Sequence, residues 1–332
     1  IRLEMYDAWE DGIEKSLYEG GLVTVTGELQ NYRNAGRLFL YPYKIERGKT
    51  AASSRGEPDL ERPKERQAAY DPALPFPEAL KAKVEDGHYV YNPYRLSTET
   101  LKLMGNDFAD FYVDFVDAWL AYETVCPCPD KAYADMLSTV LFHEFPLFTA
   151  DGDYNSASGY DAGNGTVSWS YTSKNKAEHD KLVEDFIHIA NGFLADVKPS
   201  QSDEQKAGTL YHEFCPMMTY DYEVLETRNM VEPYYAYIRS KGVCVTFSLA
   251  YGQLLTQVEI ENTLASGCTG SGDSHAWNLV CLSGKNYFCD TTYEVSWKNG
   301  TALKYFGMTL ADRLADGSGF KADEIYVGSY GS

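Results

Sequence analysis

The chain has 332 residues, of which 44% are hydrophobic, so it is long enough for two or three domains at roughly 100–200 residues each. Its 29 Lys and Arg residues against 49 Asp and Glu residues give a formal net charge of −20. Such a surface repels phosphate backbones and anionic lipid headgroups, and no apolar run approaches the ~20 residues that span a bilayer, so we expect no nucleic-acid partner and no membrane insertion.

The first predicted elements are two strands, at residues 22–29 and 37–45, where β-branched and aromatic residues partly alternate with polar ones. A polar turn at 34–36 joins them. The pair resembles part of an OB-type barrel, and a plain hairpin subdomain fits the same pattern. We therefore predict a small β unit, OB-like or a simple hairpin, over residues 1–48. A charged, proline-containing linker is predicted at 49–70.

We place an accessory α/β region at residues 71–204, of which 71–98 carry Pro and Tyr without helical periodicity. Apolar residues recur at helical spacing over 105–123, and Asn106 or Asp107 is the predicted N-cap of that helix. The other predicted elements are helices at about 130–142, 175–195 and 203–219, and a strand at 166–171.

A predicted loop in this region carries Asp151, Asp153 and Asn155 at alternate positions, as calcium loops do. A calcium loop of the EF-hand type also needs glycine at its sixth position and glutamate at its twelfth. This chain has Ser156 and Ala162 there. We therefore predict a solvated loop without a metal.

The seven cysteines leave at least one thiol unpaired. Their spacing forms no paired C-x-x-C zinc site, and Cys126 and Cys128 fit two half-buried thiols at a turn at least as well as a ligand pair. Disulfide pairing stays open at this point. The chain opens on isoleucine and looks trimmed, and we expect an extracellular or cell-surface location.

The most informative segment begins at Cys244. Apolar residues follow it at three- and four-residue steps, which predicts a helix that starts at the cysteine. These residues are Phe247, Tyr251, Leu254, Leu255 and Val258. At the N-terminus of a helix, unpaired backbone N–H groups and the positive end of the helix dipole lower the pKa of a thiol. The same N–H groups can hold an oxyanion.

A histidine and an aspartate follow on successive predicted strands. His275 opens an apolar strand after the glycine-rich loop 266–274, and Asp290 ends the next strand, after a turn at 283–286. A thiolate needs a proton acceptor within hydrogen-bond reach, and that imidazole needs an orienting partner. All three residue types are therefore present in a workable layout.

The register of the two strands is the difficulty in this layout. A tight hairpin turning at 284–285 would place Asp290 opposite Leu279. That position is four residues from His275, or roughly 13 Å along a strand, although the even offset keeps both side chains on one face. Contact requires a bulge, a sharp twist or a different register, and we predict one of these.

Three motifs in this order resemble the transglutaminase-like superfamily of papain-like folds, in a bacterial member. They are Gly-Val-Cys at 242–244 before a helix, His-Ala-Trp-Asn at 275–278, and Asp-Thr-Thr at 290–292. The match covers roughly residues 205–312. It implies an α+β papain-like catalytic core over 205–332, in which the helix that bears the cysteine packs on an antiparallel sheet.

The resemblance also implies roles for single residues. Cys244 would be the nucleophile, His275 the general base and acid, and Asp290 the residue that orients the imidazole. Trp277 and Asn278 match the motif positions that would shape the substrate-binding cleft. This catalytic triad requires no metal and no other cofactor.

Two departures from the family pattern concern substrate preference rather than the nucleophile. Val245 and Thr246 follow the cysteine where bacterial members often have Gln-Gly, and Tyr293 stands in the Asp-Thr-Thr-Tyr segment where Thr-Trp is more usual after the aspartate. Among the other histidines, we expect His143 and His188 to pack or cap. His212, just upstream of the cysteine segment, is a weaker candidate for the site.

The expected function is therefore that of a cysteine-dependent amide hydrolase, a peptidase, which acts on a protein or peptide through an acyl-enzyme. The same residues would serve acyl transfer, including protein crosslinking, with an amine in place of water. A third reading is a non-catalytic transglutaminase-like binding or scaffold module on the cell surface.

Overall fold

The computed structural model describes residues 23–31, 38–47, 74–227, 231–297 and 300–330. The α-helices of these residues are α1 (Thr98–Met104), α2 (Asn106–Leu120), α3 (Lys131–Glu144), α4 (Pro146–Asp151), α5 (Lys176–Leu194), α6 (Asp203–Phe214), α7 (Tyr222–Thr227), α8 (Tyr234–Arg239), α9 (Cys244–Gln257), α10 (Thr291–Val295) and α11 (Leu310–Ala315). The strands are β1 (Val23–Asn31), β2 (Leu38–Arg47), β3 (Lys83–Glu85), β4 (His88–Val90), β5 (Val125–Pro127), β6 (Gly152–Asp153), β7 (Tyr160–Asp161), β8 (Thr166–Ser168), β9 (Ser170–Tyr171), β10 (Thr219–Tyr220), β11 (Lys241–Gly242), β12 (Asn262–Cys268), β13 (Ser274–Leu282), β14 (Lys285–Cys289) and β15 (Tyr326–Val327).

The N-terminal unit contains the antiparallel pair β1 and β2, with a register shift between Thr26 and Gly27. Both predicted strands are therefore confirmed. The predicted turn at 34–36 and the predicted linker at 49–70 lie outside the described residues. An OB-type barrel stays a prediction, since the described part of residues 1–48 shows this pair alone.

The starts of α2 and α3 differ in how they are capped. The side chain of Asp130 accepts a hydrogen bond from the backbone N–H of Ala132 and so caps α3. The predicted cap of α2, Asn106 or Asp107, is wrong. Gly105 holds the cap position with φ +86°, because α1 ends and α2 begins at this single residue and the reversal needs a positive φ.

The segment from Asp151 to β9 also differs from prediction. Asp151 does not belong to a solvated loop. It is 1% exposed, and its carboxylate accepts hydrogen bonds from Ser173 and pairs with Nδ1 of His179 at 2.7 Å, which compensates its burial. The strand predicted at 166–171 is divided at Trp169 into β8, which pairs with β5 and β7, and β9, which pairs with β6.

Helix α6 ends at Phe214, before the end of the helix predicted over 203–219. Pro216 follows in a 3-10 turn, because proline lacks the N–H that would continue the α-helix. The chain then extends into β10, which pairs in parallel with β11 and places Tyr220 opposite Gly242. This pairing fixes the position of the backbone just before the start of α9.

Helix α9 lies at the centre of the molecule, and every residue from Thr246 to Gln257 is buried. It packs on β13 and β12 of the antiparallel sheet, whose strand order is β14-β13-β12-β15, and against α6, α8 and α10. A helix that is buried all round is typical of the core of a larger domain. The mixture of helices with small antiparallel sheets is compatible with the predicted α+β class.

One hydrophobic core extends from Leu80 to Cys289, and it draws residues from both sides of the predicted boundary between 204 and 205. That boundary stays a prediction. A smaller cluster covers the opposite face of β13 and comprises Ala265, Trp277, Phe288, Tyr305, Met308 and Phe320.

Among the described residues, none of the helices combines the length and the apolar character needed to cross a membrane.

Candidate active site

Cys244 is the first residue of α9, as the spacing of apolar residues predicted. The backbone N–H of Val243 donates to Oγ1 of Thr246 at 3.3 Å, and that hydroxyl donates to the carbonyl of Val231 at 2.9 Å. These bonds fix the turn on which the thiol sits. The Cys244 side chain is partly exposed, at a place where backbone N–H groups lack partners within the helix.

Gly242 has a steric reason to be glycine. A Cβ at this position would lie 2.5 Å from Cγ2 and 2.6 Å from Cβ of Thr246, well inside contact distance. Any larger residue would push the first turn of α9 away from β11. The glycine of the Gly-Val-Cys motif therefore allows the close approach that positions the cysteine.

The register of β13 and β14 resolves the difficulty seen in the sequence. The hairpin turns at Ser283 and Gly284, with φ of +49° and +77°, and Leu282 pairs with Lys285. Cys289 therefore pairs with Asn278, so the next residue, Asp290, aligns with Trp277 rather than with Leu279. The offset from His275 falls from four residues to two, and this different register is one of the three predicted alternatives.

His275 and Asp290 are in direct contact. Nε2 of His275, a residue 7% exposed, lies 2.8 Å from Oδ2 of the fully buried Asp290. Asp290 caps α10, and its Oδ1 accepts from the backbone N–H of Tyr293 at 2.9 Å. Its backbone is also fixed, since the carbonyl accepts from the Tyr211 hydroxyl and the N–H donates to the carbonyl of Tyr305.

The two charges of this pair stabilise each other. Burial opposes a charged carboxylate, but His275, Arg313 and the Tyr293 N–H together lower the pKa of Asp290. Burial also opposes the imidazolium, but Asp290 and then Cys244 outweigh it and raise the pKa of His275 to about 9. The imidazole is therefore protonated at neutral pH and can act as a proton donor.

Cys244 is a neighbour of the same imidazole and adds to the rise of its pKa. Asp290 holds Nε2, so Nδ1 is the ring nitrogen that remains for the thiol. The ring itself is stacked on Tyr293 at 4.6 Å between centroids, with 15° between the planes. The structure thus brings the three predicted residues into one site, while their catalytic role stays a prediction.

Trp277 and Asn278, predicted to bind substrate, are both buried, at 0% and 2% exposure. Trp277 packs edge to face on Phe288. Nδ2 of Asn278 donates to the carbonyl of Ser248 on α9, and the residue lines a polar cavity of about 20 Å³ together with Gln253. The two side chains lie on opposite faces of β13, Trp277 in the smaller hydrophobic cluster and Asn278 towards α9, and their part in substrate binding stays a prediction.

Sequence reasoning missed Arg313, a fully buried residue of α11 whose Nη1 donates to Oδ2 of Asp290 at 2.6 Å. It lies beyond the three motifs. The Thr309 and Asp312 pattern of a capping box could have predicted the start of its helix. Nothing local shows that the arginine points inward, because that depends on a carboxylate 23 residues away.

The other candidate residues lie apart from this site. His143 packs 5.1 Å from the ring of Tyr330, His188 is exposed on α5, and His212 is exposed on α6. Each of the seven cysteines is a free thiol. Within the described part of the chain, no group of three or more His, Cys, Asp or Glu side chains is arranged to hold a metal ion.

Comparison with known proteins gives no matching family model and no matching curated protein. Among solved structures, a TGase is similar over 53% of this chain and 51% of its own, with 18% identity and a TM-score of 0.29. A protein from Cytophaga hutchinsonii, described as a "Putative Cysteine Protease", is similar over 33% of this chain and 37% of its own, with 15% identity and a TM-score of 0.28. The chain thus spans about half of the first and little more than a third of the second.

Proposed function

We propose that the chain is a cysteine-dependent amide hydrolase that cleaves a protein or peptide through Cys244, His275 and Asp290. The observation that carries the proposal is the imidazole of His275, which is held at Nε2 by a buried carboxylate and interacts with a thiol at the start of a helix. A nucleophile, a proton carrier and an orienting group are the parts that acyl transfer from an amide requires.

The reaction follows from these positions in two steps. The Cys244 thiolate attacks the amide carbon, and backbone N–H groups at the start of α9 stabilise the oxyanion. The imidazolium of His275 protonates the amine as the C–N bond breaks, which leaves a thioester. His275 then takes a proton from water, which attacks the thioester and releases the acid, and the thiolate is restored.

The test compares hydrolysis of peptide amides by the parent protein, Cys244→Ser, His275→Ala and Cys268→Ser. Loss of either predicted group should lower kcat/KM by about 10³-fold or more. Cys268→Ser removes an exposed thiol at the end of β12 and should leave the rate unchanged. Activity should also fall as pH rises through about 9, because His275 then loses its proton.

Two further measurements separate this function from its alternatives. A labelled amine added with the peptide would be incorporated stably if the enzyme transfers acyl groups to amines, and that result would reject hydrolysis as the main activity. Iodoacetamide should alkylate Cys244 faster in the parent protein than in His275→Ala at neutral pH. Equal rates in the two proteins would point to a non-catalytic binding module and against an enzyme.

A further inference from the structure

Helix α11 buries a charged side chain and exposes apolar ones, the reverse of the usual arrangement in a surface helix. Arg313 is fully buried, whereas Leu310 and Leu314 are 45% and 37% exposed. The reciprocal hydrogen bonds between Thr309 and Asp312 cap the helix and hold it in this orientation. Burying a charge and exposing two leucines is unfavourable unless the charge meets specific partners.

The guanidinium group of Arg313 makes a hydrogen bond with the carboxylate of Asp290. Nη1 of Arg313 donates to Oδ2 at 2.6 Å, the same oxygen that Nε2 of His275 contacts at 2.8 Å. Nη2 lies 2.5 Å from Oδ2 of Asp316, but outside hydrogen-bond geometry, so that pair interacts through charge alone. Within the described residues Nε has no hydrogen-bond partner.

The arginine and the histidine also share one set of aromatic rings. Cζ of Arg313 lies 4.6 Å from the ring centroid of Phe320, 4.8 Å from that of Tyr293 and 5.0 Å from that of Trp277. The His275 ring lies within 6.1 Å of the same three centroids. A flat guanidinium fits such faces better than an ammonium group does. Two cationic groups therefore share one carboxylate oxygen and one aromatic enclosure.

We propose that Arg313 is a positioning residue of this site: it holds the carboxylate of Asp290 towards His275, and its fixed charge limits how tightly that carboxylate holds the imidazole proton. The inference rests on the proposed function. A proton that is held too tightly cannot be released to the departing amine, so a second donor on the same oxygen makes the imidazolium a better acid. The role is exerted through Asp290, without contact with substrate.

The ionisable groups around His275 come from three elements. Cys244 belongs to α9, Asp290 and Tyr293 to the junction of β14 and α10, and Arg313 to α11, with Asp316 at the C-cap of that helix. Burial and the charge of Asp290 raise the pKa of Tyr293 to about 12, so this side chain stays neutral. Removing the charge of Arg313 removes a repulsive neighbour and should raise the His275 midpoint by about one pH unit or more.

The experiment measures the titration midpoint of His275 by NMR in protein labelled with ¹⁵N-histidine, with His275→Gln as the assignment control. The variants are Arg313→Met, Arg313→Gln and Arg313→Lys. The two neutral variants should raise the midpoint and lower amide hydrolysis at neutral pH about tenfold or more. Arg313→Lys keeps the charge, so it should shift the midpoint by less than about half a unit while the rate still falls.

Arg95→Met is the matched control. Arg95 is a half-buried arginine that donates to the carbonyls of Leu80 and Thr256, away from the site. Its loss should lower stability and leave the His275 midpoint unchanged. An unchanged midpoint in folded Arg313→Met and Arg313→Gln would overturn the inference. Failure of both neutral variants to fold would also overturn it, because it would assign Arg313 to the fold.

The midpoint reports on the histidine–aspartate pair whether or not the protein turns over. A shifted midpoint in a protein that hydrolyses no peptide would reject the proposed function and keep the link between Arg313 and His275. Hydrolysis with an unshifted midpoint would keep the function and reject the inference.

Discussion

At the residue scale, the carboxylate of Asp290 organises the candidate site. It accepts from His275, from Arg313 and from the backbone N–H of Tyr293, and its own burial is complete. A buried carboxylate with three donors is ionised because the donors together favour the charged form more than burial opposes it. The imidazolium of His275 depends on that charge.

Asp290→Asn tests this dependence. The amide keeps the shape but loses the charge, so burial should bring the pKa of His275 down from about 9 towards or below its usual 6.5. Hydrolysis at neutral pH should fall by roughly 10²–10⁴-fold, since the imidazole loses its orientation and its proton. The measurements are kcat/KM and the His275 midpoint by NMR.

Asp151→Asn is the control for that variant. Asp151 is 1% exposed and pairs with His179 at 2.7 Å, so it matches Asp290 in burial and in partner but lies elsewhere in the fold. Its replacement should lower the free energy of unfolding and leave both the His275 midpoint and the rate unchanged. A His275 midpoint that stays near 9 in Asp290→Asn would show that another group holds the imidazolium.

At the element scale, the hairpin between β13 and β14 decides whether the site can form. Its two-residue turn has positive φ at both positions, +49° at Ser283 and +77° at Gly284, as type I′ turns require. The turn sets the register and thereby brings Asp290 to within two residues of His275 along the sheet. A one-residue slip would turn Asp290 to the opposite face.

Gly284→Ala should lower the free energy of unfolding by about 1 kcal/mol, because an alanine at positive φ is strained. A Cβ at this position meets nothing within 4 Å, so the cost would come from the backbone alone. Gly192→Ala on α5 is the matched control: its Cβ also meets open space, and in an ordinary helix it should stabilise by about 0.5–1 kcal/mol. Urea unfolding measures both, and equal effects would contradict the assignment of the turn.

At the scale of the whole molecule, α9 joins the accessory helices to the sheet that carries the site. Its residues are buried on all sides, and the main hydrophobic core takes in residues from Leu80 to Cys289. Separating residues 71–204 from 205–332 would expose the apolar surface of α9 to water. We therefore expect the two predicted regions to unfold together.

Labelling of two buried thiols measures whether the two predicted regions unfold together. Cys128 lies in the accessory region and Cys289 on β14, and both are 0% exposed. Pulsed thiol labelling in rising urea should modify both at the same urea concentration, because a shared core unfolds in one transition. Labelling of Cys128 at a clearly lower concentration than Cys289 would show two independent domains. The exposed thiol of Cys268 serves as the control that is labelled throughout.

The sequence by itself determined the parts of the site that depend on local chemistry. The apolar spacing behind Cys244 predicted a helix, the apolar run that begins at His275 predicted a strand, and the polar turn before Asp290 predicted a reversal. Helix and strand periods are properties of neighbouring residues, so they can be predicted without the rest of the fold.

Only the tertiary structure decided which polar groups meet. The register of β14, the inward turn of Arg313 and the burial of Asp151 each depend on partners distant in the chain. A buried charge is tolerated only where its partner is in place, and no local pattern carries the position of that partner. The order of cysteine, histidine and aspartate was therefore visible in the sequence, whereas the contact between His275 and Asp290, and the arginine behind it, came from the fold.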